Sequence, residues 1–226
     1  MSSFADPKAV AHYTSGPPRQ VPGFHDLQRM AMLLLAERVP ADGRVLVLGA
    51  GGGLELAVFA QAHPGWHMLG IDPSLPMLEL ATQTLGPLAS NVALKQGYIH
   101  DAPDEAFDGA TCLLTLHFLL EEDRLDTLQA LRRRLKPGAP LVVAHHSFAQ
   151  DEAGKARWLQ RYAAFARSSG IAAADASRAI EAVGRQLPVL SPERDAGLLR
   201  EAGFETVELF YAAFSFRGWV ACNAGA

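Results

Sequence analysis

Three glycines at alternate positions, Gly49, Gly51 and Gly53, stand with Ala50 and Gly52 between an apolar run ending at Leu48 and a helical pattern opening at Leu54. Glycine tolerates the positive φ of a sharp strand-to-helix turn, and without a Cβ it lets a ligand approach the peptide units. Such a turn suits a nucleotide-type ligand, and it also suits a tight connection that holds nothing. Asp72 closes the next apolar run. A carboxylate there can accept hydrogen bonds from both hydroxyls of an adenosine ribose. Asp before Pro73 and Ser74 is equally a helix-capping signal. The two elements together favour the ribose role. The register is GxGxG; the third glycine of the dinucleotide fingerprint would fall at Leu54, which argues against a nicotinamide cofactor.

His145 and His146 follow the fifth apolar run. Neutral imidazole suits proton removal near pH 7, which makes them candidate general bases. Adjacent residues on an extended segment point to opposite sides, so they do not share a metal, and no metal site is expected. The alternative is one packed and one solvated histidine. Tyr13 and Arg19, with Trp158, Tyr162 and Phe165, form a candidate aromatic acceptor pocket, although the last three sit at the helical spacing of a core face. Glu55 lies on the helix after the glycine turn, where an exposed or dipole-complementing carboxylate is the commoner role. Arg132, Arg133 and Arg134 precede a helix C-terminus and read as dipole partners rather than an RNA patch.

These residues need a scaffold, and the chain alternates to supply it. Strands are expected at Arg44–Leu48, Trp66–Ile71, Val92–Gln96, Ala110–Leu114 and Leu141–Ala144, with helices at Leu54–Ala62, Pro76–Leu85 and Glu122–Leu135. This βαβ repetition implies a mostly parallel sheet covered on both faces, with ligands beyond the C-terminal strand ends. An earlier helix is expected from Phe24, with Met30, Leu33, Leu34 and Glu37 at helical spacing. A helical stretch from Ser147 to Glu201 would cover the crevice, and two β-type runs linked near Ala212 and Ala213 form a closing antiparallel hairpin. The expected organisation is one domain: 1–40 as an N-terminal helical lid segment, 41–146 as the cofactor-binding core, 147–202 as a helical cap and 203–226 as the hairpin. With 226 residues and 49% apolar content, one domain with a sizeable core is reasonable. A net charge of -4 does not suggest nucleic-acid binding. No apolar run reaches the ~20 residues of a membrane span, so a cytoplasmic location is the default expectation. Cys112 and Cys222 lie in apolar stretches and read as reduced core residues.

Four ordered motifs carry a resemblance: the GxGxG turn, "GIDPSLPML", "FDGA" leading into the fourth strand, and "LRRRLKPGAPLVV" around the fifth. Together they resemble the class I S-adenosylmethionine-dependent methyltransferases. That implies a Rossmann-like, doubly wound, seven-stranded α/β sheet, mostly parallel with an antiparallel last strand. It also implies S-adenosyl-L-methionine as cofactor, S-adenosyl-L-homocysteine as product, and a small-molecule methyl acceptor; monomer and homodimer are both open. On this pattern Gly49, Ala50, Gly51 and Gly53 approach the methionine end and Asp72 holds the ribose. Pro73 and Ile99 flank the adenine beside Met77 and Tyr98, while Leu114 and His117 face the cofactor or acceptor. Within the family, "RQVPGFHDLQRMAMLLLAERV", "LTLHFL" and the closing "GWVA" resemble the carboxy-S-adenosylmethionine synthase branch. That branch suggests a cofactor contact from Phe24 and a carboxylate-binding arginine near Arg185. Phe24 replaces its tyrosine, Tyr98 its acid and Leu113 its asparagine, which favours ordinary methyl transfer over carboxylated cofactor chemistry; a module that binds the cofactor without turnover is the other alternative. Many family members carry an acid at Val47 that orients the cofactor's amino group; His117 and the Arg19 to Phe24 segment are the expected substitutes, and Glu55, on the helix after the turn, is not expected to compensate.

Overall fold

The computed structural model describes residues 16–225. A short α1 (Pro17–Gln20) leads to α2 (Phe24–Ala36), and then β1 (Arg44–Leu48), α3 (Leu54–Ala62), β2 (His67–Asp72), α4 (Leu75–Leu85) and β3 (Val92–Gln96) follow. After β4 (Gly109–Leu113), α5 (Glu121–Arg133) and β5 (Pro140–His146) come α6 (Glu152–Ser168), α7 (Ala173–Glu181) and α8 (Pro192–Glu201). The chain closes with β6 (Phe204–Ala213) and β7 (Phe216–Asn223). One seven-stranded sheet runs in the order β3-β2-β1-β4-β5-β7-β6. The first five strands are parallel, and β7 enters antiparallel between β5 and β6.

Alternation along the strands divides the core in two. Val45 and Val47 face one layer with Leu27, Leu35, Leu56, Phe59 and Tyr162. Leu46 and Leu48 face the other with Leu128, Leu131, Leu198 and Leu199. Burial of apolar side chains on both faces is the main drive for this three-layer arrangement. The helical stretch after β5 therefore splits. α6 contributes Leu159 and Tyr162 to the first layer, whereas α8 packs on the opposite face beside α5.

The differences from the expected elements are local and have physical reasons. β2 begins at His67, because Trp66 sits in a turn with its N–H on the His63 carbonyl and its indole on the Pro40 carbonyl. β5 runs on through His146 because β7 pairs with it up to Phe216. α2 buries Phe24, Leu27, Ala31, Met32 and Leu35; of the expected line, Met30 and Leu34 pack partly buried against the same core while Leu33 is exposed. The hairpin turns at Phe214 and Ser215 rather than at Ala212 and Ala213. Phe214 has φ 50°, the positive value a two-residue hairpin turn requires at its first position. Between α7 and α8 the helical pattern widens into a π turn, Ala182–Gln186.

Candidate active site

The sheet order reverses direction between β1 and β4, and the loops after these strands meet there. Gly49, Gly51 and Gly53 have φ of 78°, 49° and 77°. A Cβ on Gly49 would stand 2.0 Å from the Thr115 hydroxyl, and one on Gly53 would stand 2.9 Å from Ala81 Cα in α4. The turn therefore needs glycine for its backbone and for its neighbours. The amides of Gly49 and Ala50 both donate to the Ile71 carbonyl, at 2.8 and 3.0 Å, which ties the turn to β2. Gly49→Ala should lower stability by about 1–3 kcal/mol, read from urea unfolding; a change within error would show that Thr115 simply moves aside.

Asp72 ends β2 opposite this turn. Its Oδ2 accepts from Gly51 N–H and its Oδ1 from Ser74 N–H, each at 2.9 Å. Burial raises its pKa and the two backbone donors oppose the rise. One oxygen thus meets the residue that starts the helix and the other meets the glycine turn, but Asp72 is not itself the helix cap. The cap of α4 is Ser74, whose hydroxyl accepts from Met77 N–H at 3.3 Å. Pro73 and Tyr98 are exposed, Tyr98 at 64%, on the rim beyond β2 and β3. Ile99 and Met77 are buried behind that rim. Leu114 leaves β4 with φ 56° and donates its N–H to the Ala144 carbonyl at 2.6 Å.

The histidines differ from expectation. Both are buried, because β7 covers the end of β5. They do point to opposite faces. His145 Nε2 lies 3.2 Å from Asp195 on the α5–α8 side. His146 stacks on Phe216 at 4.0 Å, meets His117 and Tyr162 edge-on at 5.1 and 5.2 Å, and lies 3.1 Å from the Ser215 hydroxyl. His146 N–H donates to His117 Nδ1 at 3.4 Å. Burial drives the pKa of His117 well down and that of His146 down to about 3. Both rings are neutral and weakly basic, which suits hydrogen bonding better than proton storage. A histidine held neutral contributes stability above pH 6.5 that is lost as pH falls toward its folded pKa. His146→Gln should therefore flatten the acid limb of the stability curve between pH 6.5 and 3 by about 1.4 kcal/mol per pH unit. An unchanged slope would refute the assignment.

The other expected residues are scattered. Tyr13 lies outside the described residues. Arg19 and Arg185 are exposed, and Arg185 pairs with Glu181 at 3.1 Å. Trp158 lies between Arg161 and Arg217, with their guanidinium carbons 4.5 and 5.0 Å from its ring. Phe165 faces Phe214 at 6.2 Å. Tyr162 is buried and donates to Gln20 at 3.3 Å, while Phe24 is buried at the start of α2. A cavity of about 570 Å³ is lined entirely by α6 and α7 residues, including Arg157, Arg161 and Arg167, and by none of the strand-end residues. Of the arginine run, Arg134 is buried and donates to the Ala102 and Ala130 carbonyls. Cys112 and Cys222 are free thiols, the first buried and the second partly so. Among the described residues no helix is long and apolar enough to cross a membrane, and no cluster of three or more metal-binding side chains occurs.

The largest surprise is Glu55. It is buried, at 6% exposure, so of the exposed and dipole-complementing roles expected for it the first is overturned. Thr111 of β4 donates its hydroxyl to Glu55 Oε1.

Residues 46–141 match a family model described as a methyltransferase domain. A carboxy-S-adenosyl-L-methionine synthase of Actinobacillus succinogenes is 28% identical over 90% of this chain and 86% of its own length. Among solved structures, an O-methyltransferase family protein from Burkholderia thailandensis superposes with a TM-score of 0.72, at 16% identity over 99% of this chain and 62% of that one. Human N-acetylserotonin methyltransferase, solved in complex with S-adenosylmethionine, superposes with a TM-score of 0.69, at 15% identity over 99% of this chain and 58% of that one. The chain therefore spans about six tenths of these two structural neighbours. The match over residues 46–141, the sheet order and the glycine turn facing Asp72 make the chain similar to S-adenosylmethionine-dependent methyltransferases, with carboxy-S-adenosyl-L-methionine synthases among the proteins it resembles.

Proposed function

We propose that this chain binds S-adenosylmethionine across the β1–β4 crevice and transfers its methyl group to a small acceptor, releasing S-adenosylhomocysteine. The observation that carries the reading is the Asp72 carboxylate bonded to Gly51 N–H, which sets the acid and the open backbone face to face at the switch point. The residues fit the cofactor: Gly49, Ala50 and Gly51 admit its chain, Asp72 accepts from the ribose, and Pro73, Met77, Tyr98 and Ile99 surround the base. When bound, the sulfonium supplies an electrophilic methyl group, so alignment is the main task left to the protein. Leu114 and His117 border the reacting end. His117, His146 and Tyr162, with Trp158 beyond them, form the acceptor side. The neutral imidazoles orient an acceptor by hydrogen bonds. Residues 16–40 and the α6–α7 part of 147–202 serve as lid and cap over the core.

Titration calorimetry of the purified, folded chain with S-adenosylmethionine and S-adenosylhomocysteine tests this, and no heat from either overturns it. A second reading is cofactor modification of the carboxy-S-adenosylmethionine synthase type. Similarity to such synthases over 90% of the chain favours it. A carboxylated sulfonium in the mass spectrum of the copurified ligand would select that reading, and a methylated acceptor with an unmodified cofactor would select methyl transfer.

A further inference from the structure

Glu55 stands on the first turn of α3, immediately after the glycine turn. The helix docks on the first face of the sheet, and the Glu55 side chain enters the layer between helix and strands. Its partner there, Thr111, pairs in register with Val47 on β1. The carboxyl is thus held against the β1–β4 pair at the level of Val47, beneath the turn that begins at Gly49. Among the described residues no lysine, arginine or histidine forms an ion pair with it.

A buried carboxyl without a cation resists ionisation. Burial pushes the Glu55 pKa up to about 8, and the Thr111 hydroxyl offsets only part of that rise. The titratable neighbour coupled to Glu55 is the Cys112 thiol of β4, which burial and the Glu55 charge push upward, so it stays protonated. Asp72, across the turn on β2, accepts one backbone donor at each oxygen and keeps its remaining lone pairs for the ribose. An uncharged acid at the floor of a ligand turn is an incomplete ion pair, and a ligand that brings a cation completes it.

Resting on the cofactor reading above, we infer that Glu55 is the receptor for the ammonium group at the methionine end of the ligand. Val47 is apolar and supplies no acceptor. His117 accepts at Nδ1 from His146 N–H, which leaves the other nitrogen of the neutral ring as a donor, unsuited to an ammonium. Arg19 is exposed and carries the wrong charge. Ammonium binding displaces the Glu55 proton to the buffer, and the resulting carboxylate pairs with the ligand cation while Thr111 holds its other oxygen.

The test is titration calorimetry at pH 6.5 in two buffers of different ionisation enthalpy. The probes are S-adenosylhomocysteine and 5′-methylthioadenosine, which keeps the nucleoside and thioether but lacks the amino-acid end. Wild type should release about one proton per S-adenosylhomocysteine and none with methylthioadenosine. Glu55→Gln should abolish the proton release and weaken S-adenosylhomocysteine about ten- to hundredfold, leaving methylthioadenosine within about twofold. Loss of a merely structural contact would weaken both ligands alike. Binding of S-adenosylhomocysteine by wild type without proton release overturns the assignment, whether or not the variant folds. If neither ligand binds wild type, the cofactor reading itself fails and the assignment falls with it.

Discussion

Arg124→Met should lower the free energy of unfolding by about 3–5 kcal/mol, the usual cost of removing one partner from a buried ion pair. Arg124 and Asp195 are fully buried and bonded to each other. Arg124 also donates to the Pro188 carbonyl at 3.0 Å and to the Leu119 carbonyl at 3.4 Å. Burial alone would raise the Asp195 pKa, but His145, Arg124 and the Ser147 hydroxyl outweigh it and hold the carboxyl below its ordinary value. The cluster joins α5, α8 and the end of β5, so its loss loosens the second face of the sheet. Methionine preserves much of the volume and leaves the Asp195 charge with only His145 and the Ser147 hydroxyl. Arg124→Met combined with Asp195→Leu should recover most of the loss, because no unpaired charge then remains. Urea unfolding of the single and double variants checks both statements; a single-variant change under about 1 kcal/mol would sink the argument.

Asp72→Ala should weaken S-adenosylhomocysteine at least about a hundredfold, since two hydrogen bonds to a charged acceptor contribute about 1.5–3 kcal/mol each. The same change frees the amides of Gly51 and Ser74, so part of the effect comes from a looser turn. Asp72→Asn separates the two contributions. It keeps one acceptor oxygen, and its affinity should fall between wild type and Asp72→Ala in the same titration. Equal affinity across all three proteins would remove Asp72 from the ribose site.

Glu55 shows where sequence reading lost information it contained. The α3 segment is apolar all round, with Leu54, Leu56, Ala57, Val58, Phe59 and Ala60 on every side. Glu55 shares its side of the helix with Leu56, Phe59 and Ala60, the buried residues, while Leu54, Ala57 and Val58 are only half-buried, so helical spacing put this glutamate on the core face. The general preference of carboxylates for water was the wrong guide. The histidines were a different case. Their opposite orientation follows from strand geometry alone, whereas their common burial depends on β7, which lies far along the chain and pairs His146 with Phe216.

The sequence by itself determined what local geometry controls. Alternate glycines dictated the positive-φ turn, the period of the apolar runs dictated the βαβ order, and Asp72 at a strand end was bound to lie beside the turn. Tertiary structure alone decided which charges left water. Arg124 and Asp195, 71 residues apart, meet only when α5 and α8 dock on the same face. Thr111 reaches Glu55 only because β4 pairs with β1. Burial and charge pairing are properties of the assembled layers, and no local pattern specifies which distant side chain completes a pair.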